Sequence, residues 1–174
     1  MSFIIVSPLS AIEPTILQYR PSHLVTLLSP EFMIETPVQF SAAQHLRLPL
    51  NDVTDAWGSD SPPAKHHIEH LIEFGRSWNA EAPMLVHCWA GVSRSMAAAY
   101  ILLCDRAGPG YELEIAGALR ARAPHASPNT LMVRLADEAL QRDGRMVEAI
   151  ESIGKGELVA EGSCVAFPVA LDQL

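Results

Sequence analysis

The fold is decided by one short stretch of the chain, Val86-His87-Cys88-Trp89-Ala90-Gly91-Val92-Ser93-Arg94-Ser95. The apolar run 84–86, which leads into the cysteine, is typical of a short buried strand. Residues 95–104 are apolar and rich in strong helix formers, which predicts a helix that begins at Arg94. A strand therefore ends at the cysteine, a helix begins at the arginine, and the turn between them contains a glycine.

Such a turn predicts an anion site with a thiol at its floor, because backbone N–H groups and the positive end of the helix dipole converge there. Gly91 lets the backbone turn tightly, and Arg94 presents a planar charged fork that fits two phosphate oxygens. The helix terminus and the guanidinium favour the thiolate, so Cys88 is predicted to be a nucleophile. Ser95 can donate a hydrogen bond to the sulfur. His87 is predicted to be a neutral imidazole that bonds to the backbone and orders the loop.

The motif His-Cys-x-x-Gly-x-Ser-Arg-Ser, with five residues between Cys88 and Arg94, resembles the phosphate-binding loop of cysteine-dependent protein tyrosine phosphatases. It most resembles the small dual-specificity branch and its bacterial relatives. The resemblance is strongest over residues 44–141 and loose over residues 1–43. It implies a phosphatase that works through a phosphocysteine intermediate, with a phosphate-binding loop made of Trp89, Ala90, Gly91, Val92, Ser93 and Arg94.

Cleavage of a phosphate ester also needs a proton donor for the departing oxygen. The acidic loop 51–63 supplies Asp52, Asp55 and Asp60. In the family the general acid lies on a loop that follows a strand and precedes the cysteine, so the resemblance favours Asp52, with Asp55 second and Asp60 third. The ordinary interpretation of each is a solvated turn residue.

The apolar pattern along the chain predicts an α/β fold. The predicted strands are 3–6, 23–28, 44–50 and 84–86, and the predicted helices are 10–19, 64–78, the one after Arg94, 111–123 and one capped at Asn129. Segment 31–43 is predicted to be a loop with a short helical turn. Strands separated by helices indicate a central, mostly parallel sheet of four to five strands with helices on both faces, like that of the protein tyrosine phosphatases. The active loop then leaves the carboxyl end of a strand, where such sheets bind ligands.

A single phosphatase-like domain is predicted for residues 1–174, with residues 144–174 as a C-terminal extension of unknown role. The extension begins with a helical pattern, and its segments 158–160 and 164–167 predict one or two short strands. Packing or dimerisation is the simplest role for this extension, and a lid over the active site is the alternative.

Composition restricts the classes of partner. A net charge of −8 disfavours nucleic acid and anionic membranes. The three widely spaced cysteines indicate no disulfide framework, and Cys104 is predicted to be a small buried hydrophobe. Residues 1–6 lack the basic region of a signal peptide, and no segment has the length and apolarity of a membrane span. The expected location is cytoplasmic.

The expected ligands are a phosphorylated protein or a small phosphate ester, with phosphate, sulfate or vanadate in the loop. No cofactor and no metal are implied, because backbone amides and Arg94 supply the charge stabilisation. Loop residues 89–93 contain no lysine, which disfavours polyanionic lipids. Phosphotyrosine is the leading substrate on resemblance, while phosphoserine, phosphothreonine and the oligomeric state stay open.

Four alternatives to a phosphatase remain. A non-catalytic phosphate-binding module would carry the same loop without turnover. Rhodanese-like sulfurtransferases and arsenate reductases also set a cysteine above a helix N-terminus, but the rhodanese-like class usually has a shorter loop or lacks the Ser-Arg-Ser ending and the upstream acid. The segment His66-His67-Ile68-Glu69-His70 matches the inverted zinc-protease pattern, although the better interpretation is solvated histidines on an amphipathic helix.

Overall fold

Five strands form one sheet in the computed structural model, which describes residues 2–173. The strands are β1 (Phe3–Pro8), β2 (His23–Leu28), β3 (His45–Pro49), β4 (Met84–Cys88) and β5 (Val165–Pro168). Their order across the sheet is β3-β2-β4-β1-β5. The first four strands are parallel, and β5 pairs antiparallel with β1. The predicted α/β fold with a mostly parallel sheet is therefore confirmed.

The helices lie close to their predicted positions. They are α1 (Ile12–Tyr19), α2 (Lys65–Ser77), α3 (Arg94–Ala107), α4 (Glu112–Arg122), α5 (Thr130–Ala139) and α6 (Arg145–Ile153). Segment 31–43, predicted to be a loop with a helical turn, has a single-turn 3-10 helix at each end, at 30–32 and 42–44. No helix within residues 2–173 has the length and apolar surface needed to cross a membrane.

Strand β4 is the centre of the structure, with β1 on one side and β2 on the other. All five of its residues are buried, as expected of a parallel strand that is covered on both faces. Val86 belongs to the larger core under α2 to α6, and the preceding residue, Leu85, belongs to the smaller core under α1. Because alternate side chains of the strand enter opposite cores, the position of Cys88 at its end is tightly fixed.

The C-terminal extension packs against the rest of the chain. Its helical pattern forms α6, which lies against α4 and α5, and its last strand, β5, extends the sheet with Phe167 fully buried. Of the one or two short strands predicted at 158–160 and 164–167, one forms, and it is β5. Segment 158–160 is not part of the five-stranded sheet, and Leu158 is fully exposed.

Candidate active site

The predicted junction of strand, turn and helix is present. Strand β4 ends at Cys88, residues 89–93 form the turn, and α3 begins at Arg94. The Cys88 thiol lies at the bottom of the turn, 2% exposed, with its Sγ 3.1 Å from the Oγ of the fully buried Ser95. Gly91 has a φ of +70°, and a Cβ on it would lie 2.9 Å from the backbone nitrogen of Pro8. The turn therefore requires glycine for its conformation and for its close approach to β1.

The carbonyl groups of the turn are bonded on its outer side by N–H donors from three other segments. The pairs are Leu9 to Trp89 at 3.0 Å, Gly162 to Ala90 at 2.8 Å, Ser127 to Val92 at 3.0 Å and Asn129 to Ser93 at 3.3 Å. The C=O and N–H of a trans peptide point in opposite directions, so an outward carbonyl turns the next N–H inward. The result is a ring of backbone N–H groups above the thiol, at the N-terminus of a fourteen-residue helix.

Arg94, the first residue of α3, has a buried donor without a hydrogen-bond partner among the described residues. It is 6% exposed, and its Nη1 donates to the carbonyl oxygen of Leu50 at 3.0 Å. Its Nε is buried without a hydrogen-bond partner among the described residues, and lies 3.8 Å from Oδ2 of Asp52. A buried guanidinium N–H that lacks a bond partner is suited to an anionic ligand, because an unmet donor of this kind is costly.

Asp52 is held against the phosphate loop. Its Oδ1 accepts hydrogen bonds from Ser93 Oγ at 2.7 Å and from Asn129 Nδ2 at 2.9 Å. Asn129 is 1% exposed, also donates to the Val53 carbonyl at 3.0 Å, and caps α5 by accepting from the Met132 N–H at 3.0 Å. The sequence indicated only the capping role of Asn129. Its contact with Asp52 was missed, because nothing local shows which loop crosses a helix cap.

The other two carboxylates of loop 51–63 do not share this position. Asp55 accepts a hydrogen bond from the N–H of Trp57 at 2.9 Å, which is the turn role expected of a loop aspartate. Asp60 is exposed. Geometry thus places Asp52 beside Arg94, at the end of the loop that begins with Cys88, while the chemical roles of all three stay predictions.

His87 bonds to the backbone, as expected from the sequence. The ring is fully buried, and its Nδ1 lies 3.3 Å from the carbonyl oxygen of Cys88. Burial lowers the pKa of His87 to about 4, so the imidazole is neutral near neutral pH. Because the Cys88 carbonyl is held in this way, the N–H of Trp89 joins the inward-facing set.

The remaining cysteines lie outside the loop, and all three thiols are free. Cys104 is fully buried in α3, as predicted, and burial raises the pKa of its thiol to about 12. Cys164 is exposed, directly before β5. Neither thiol has the surroundings of a nucleophile at a helix N-terminus.

The histidine cluster of α2 has a local structural role. His67 is buried, its Nδ1 accepts a hydrogen bond from the Ala64 N–H at 3.1 Å, and burial lowers its pKa to about 4. His66 and His70 are exposed. Within residues 2–173, no three side chains of metal-binding type come together as a site. The interpretation from sequence, solvated histidines on an amphipathic helix, is right for His66 and His70 and wrong for His67, which is buried and caps the helix.

The C-terminal extension reaches the outer side of the phosphate loop. Gly162 donates to Ala90, and a Cβ on Gly162 would lie 2.5 Å from Nε2 of His125 and 3.0 Å from the carbonyl oxygen of Gly91. The Glu157 N–H donates to the Pro124 carbonyl at 2.9 Å. These contacts lie on the carbonyl side of the loop, so they support the packing role and give no support to a lid.

In comparisons by sequence, no family model and no curated protein matches the chain significantly. Solved structures do match its backbone. The structure of DUSP15 covers 87% of this chain and 94% of its own, with a TM-score of 0.63 and 17% identity. Human DUSP28 covers 82% and 94%, with a TM-score of 0.56 and 21% identity. PTPMT1 in complex with PI(5)P covers 83% and 90%, with a TM-score of 0.57 and 18% identity.

These neighbours are phosphatases of the small dual-specificity type, and the match extends over most of each of their chains. At such low identity, the likeness is one of fold. The chain has the fold of the cysteine-dependent protein tyrosine phosphatases, in its small dual-specificity form.

Proposed function

We propose that this protein is a cysteine-dependent phosphatase that hydrolyses phosphate monoesters, protein phosphotyrosine foremost, through a phosphocysteine intermediate. One observation carries the proposal. The Cys88 thiol begins a loop whose outward-bonded carbonyls turn its N–H groups inward, and the same loop ends at Arg94, whose unpartnered Nε lies 3.8 Å from Oδ2 of Asp52. A thiol, an anion cradle and an acid in one place are the parts that thiolate-based phosphoryl transfer needs.

In the first step, the Cys88 thiolate attacks phosphorus in line with the leaving oxygen. A sulfur–phosphorus bond forms as the phosphorus–oxygen bond breaks, and the electron pair leaves with the oxygen. The inward amides and Arg94 bind the three equatorial oxygens, whose charge shifts during transfer. Protonated Asp52 gives its proton to the leaving oxygen, so the alcohol departs neutral.

In the second step, water attacks the phosphocysteine. Asp52, now ionised, takes a proton from the water, the sulfur–phosphorus bond breaks, and inorganic phosphate is released. The Ser95 hydroxyl, 3.1 Å from Sγ, donates a hydrogen bond to the sulfur as it regains negative charge. Such a bond to a charged acceptor is stronger than one to a neutral acceptor, which helps the thiolate to leave.

Phosphotyrosine is the proposed substrate in preference to a polyanionic lipid. PTPMT1, one of the structural neighbours, was crystallised with PI(5)P. In this chain, however, the loop side chains at 89–93 include no cation, and the net charge is −8. A headgroup with several phosphates would therefore meet one guanidinium at the loop and a repulsive overall field. A cytoplasmic location and independence from metal ions belong to the same proposal.

The direct test is hydrolysis of para-nitrophenyl phosphate in the presence of EDTA. We expect the wild type to turn over, and Cys88→Ser to lose turnover while it still binds vanadate. Asp52→Ala should slow esters with poor leaving groups much more than those with good ones, and Asp55→Ala is the matched control from the same loop. Phosphotyrosine and phosphoserine peptides, and PI(5)P vesicles, then rank the substrates.

The binding module, the rhodanese-like enzyme and the choice of Asp55 as general acid each predict a different result. Vanadate binding without turnover in the wild type would favour the non-catalytic binding module. Sulfur transfer from thiosulfate to cyanide, without phosphatase activity, would favour a rhodanese-like enzyme. If Asp55→Ala, and not Asp52→Ala, showed the leaving-group effect, the general acid would be Asp55.

A further inference from the structure

Two buried histidines and two threonines form a continuous chain of hydrogen bonds behind the phosphate loop. It runs from Thr36 to His45, from His45 to Thr26 and from Thr26 to His87, with contacts of 2.9, 2.7 and 2.7 Å. It ends where His87 Nδ1 lies 3.3 Å from the Cys88 carbonyl oxygen. We infer that this chain fixes the two imidazoles as opposite tautomers and makes Thr26 and His45 positioning residues for the loop.

The donor and the acceptor in every one of these hydrogen bonds follow from the last acceptor of the series, the carbonyl oxygen of Cys88. A carbonyl oxygen only accepts, so His87 carries its proton on Nδ1, and its Nε2 is an acceptor. The single hydroxyl proton of Thr26 is therefore donated to His87 Nε2. The oxygen of Thr26 must then accept from His45, which carries its proton on Nε2. The Nδ1 of His45 is left as an acceptor, and the hydroxyl of Thr36 donates to it.

The reverse direction leaves groups unmatched. If Thr26 donated to His45, His87 would have to carry its proton on Nε2. The bare Nδ1 of His87 would then face the carbonyl oxygen of Cys88, acceptor against acceptor. Since His87 is fully buried, no solvent molecule could relieve that contact, and an unmet buried acceptor is costly.

Burial preserves this chain of hydrogen bonds. Thr26 and His87 are fully buried and His45 is 6% exposed, so their polar atoms depend on one another for partners. Burial also lowers the pKa of both histidines to about 4, with Arg47 acting in the same direction on His45, and Arg94 on His87. Both rings are therefore neutral near pH 7, and each has the one donor and one acceptor that a one-way chain requires.

The consequence reaches the phosphate loop through one peptide group. His87 holds the carbonyl of Cys88, and this carbonyl belongs to the same planar peptide as the N–H of Trp89. Thr26 fixes the proton of His87, and His45 fixes that of Thr26. Residues on β2 and β3 thereby orient an N–H donor of the anion site, although neither belongs to the phosphate loop.

The tautomers can be read in the wild type by long-range 15N–1H NMR of the imidazole rings near pH 7. We expect His87 to be protonated on Nδ1 and His45 on Nε2, which are opposite forms with distinct nitrogen shifts. The measurement does not depend on catalysis, so its result is independent of whether the proposed function is correct. Protonation of His87 on Nε2, or the same tautomer at both histidines, would overturn the inference.

The effect on the loop, which rests on the proposed anion site, is tested by Thr26→Val. We expect His87 to lose its single tautomer and vanadate to bind about fivefold more weakly, the equivalent of about one hydrogen bond. Thr26→Ser should restore both the single tautomer of His87 and the vanadate affinity. Thr15→Val is the control, since Thr15 is also a buried threonine but lies on α1. Unchanged vanadate affinity in a folded Thr26→Val would refute the positioning role. If Thr26→Val does not fold, Thr36→Val tests the same chain from its other end.

Discussion

Acidification should destabilise this fold through His87. The unfolded imidazole has an ordinary pKa of 6.5, whereas burial lowers the folded value to about 4. Between these two values the unfolded state binds a proton that the folded state does not bind. The free energy of unfolding therefore falls as the pH falls through this range, and the stabilisation is fully present only above pH 6.5.

The size of the effect follows from the same values. At pH 4.5 the unfolded ring is protonated, about two pH units below its ordinary pKa, and the folded ring is still mostly neutral. At about 1.4 kcal/mol for each unit, the loss from pH 7 to pH 4.5 is about 2.5 kcal/mol for this residue alone. That is a large fraction of the roughly 5–15 kcal/mol that stabilises a typical domain.

The assay is urea denaturation, followed by tryptophan fluorescence, at pH 7 and pH 4.5. We compare the wild type with His87→Gln, which removes the titrating ring, and with His70→Gln, which removes an exposed histidine from α2. Carboxylates and the other histidines titrate in all three proteins. His87→Gln should therefore lose about 2.5 kcal/mol less stability on acidification than the other two. An equal loss in all three proteins would show that His87 does not carry the acid sensitivity.

Two further substitutions test contacts of the loop. Ser95→Ala removes the hydroxyl that lies 3.1 Å from Sγ, so breakdown of the proposed phosphocysteine should slow by about tenfold or more, visible as a burst of para-nitrophenol in rapid mixing. A linear time course with an unchanged steady rate would contradict this role. Gly162→Ala introduces a Cβ against His125 and the Gly91 carbonyl, and should cost about 1–3 kcal/mol in thermal unfolding and weaken vanadate binding. Gly117→Ala is its control, since a Cβ there meets nothing within 4 Å; equal effects would show that the extension does not brace the loop.

The sequence predicts those features of this protein that are local. The strand that ends at Cys88, the turn and the helix from Arg94 follow one another in the chain, so their residue types decide them directly. Strand 23–28 is bounded by turn residues and was predicted to the residue. The nearness of Asp52 to Arg94 was predicted from family resemblance, since 42 positions separate them in the sequence.

Other contacts between distant segments could not be predicted. The Gly162 N–H reaches Ala90 only because β5 pairs with β1, and nothing in the composition of the extension specifies that pairing. In the sequence, Thr26 and His45 are ordinary members of predicted strands. Their hydrogen-bonded connection to His87 depends on the order of strands in the sheet. The absence of a strand at 158–160 has a related cause. The residues of this segment are apolar, but a strand also needs a partner strand, and the segment pairs with none of the five strands of the sheet.

Because β4 is the central strand of the sheet, the proposed nucleophile at its end and the proposed acid on loop 51–63 differ in how easily their backbones open. The backbone of β4 is bonded to β1 and β2 on its two sides, so in hydrogen-exchange experiments its amides should open only when the whole protein unfolds. Loop 51–63 is largely exposed and is held to the phosphate loop by few bonds, so its amides should exchange through local opening. The proposed nucleophile and the proposed acid therefore belong to different units of cooperative opening. Changes within loop 51–63 can alter how long the acid stays in place without loosening the strand that carries the cysteine.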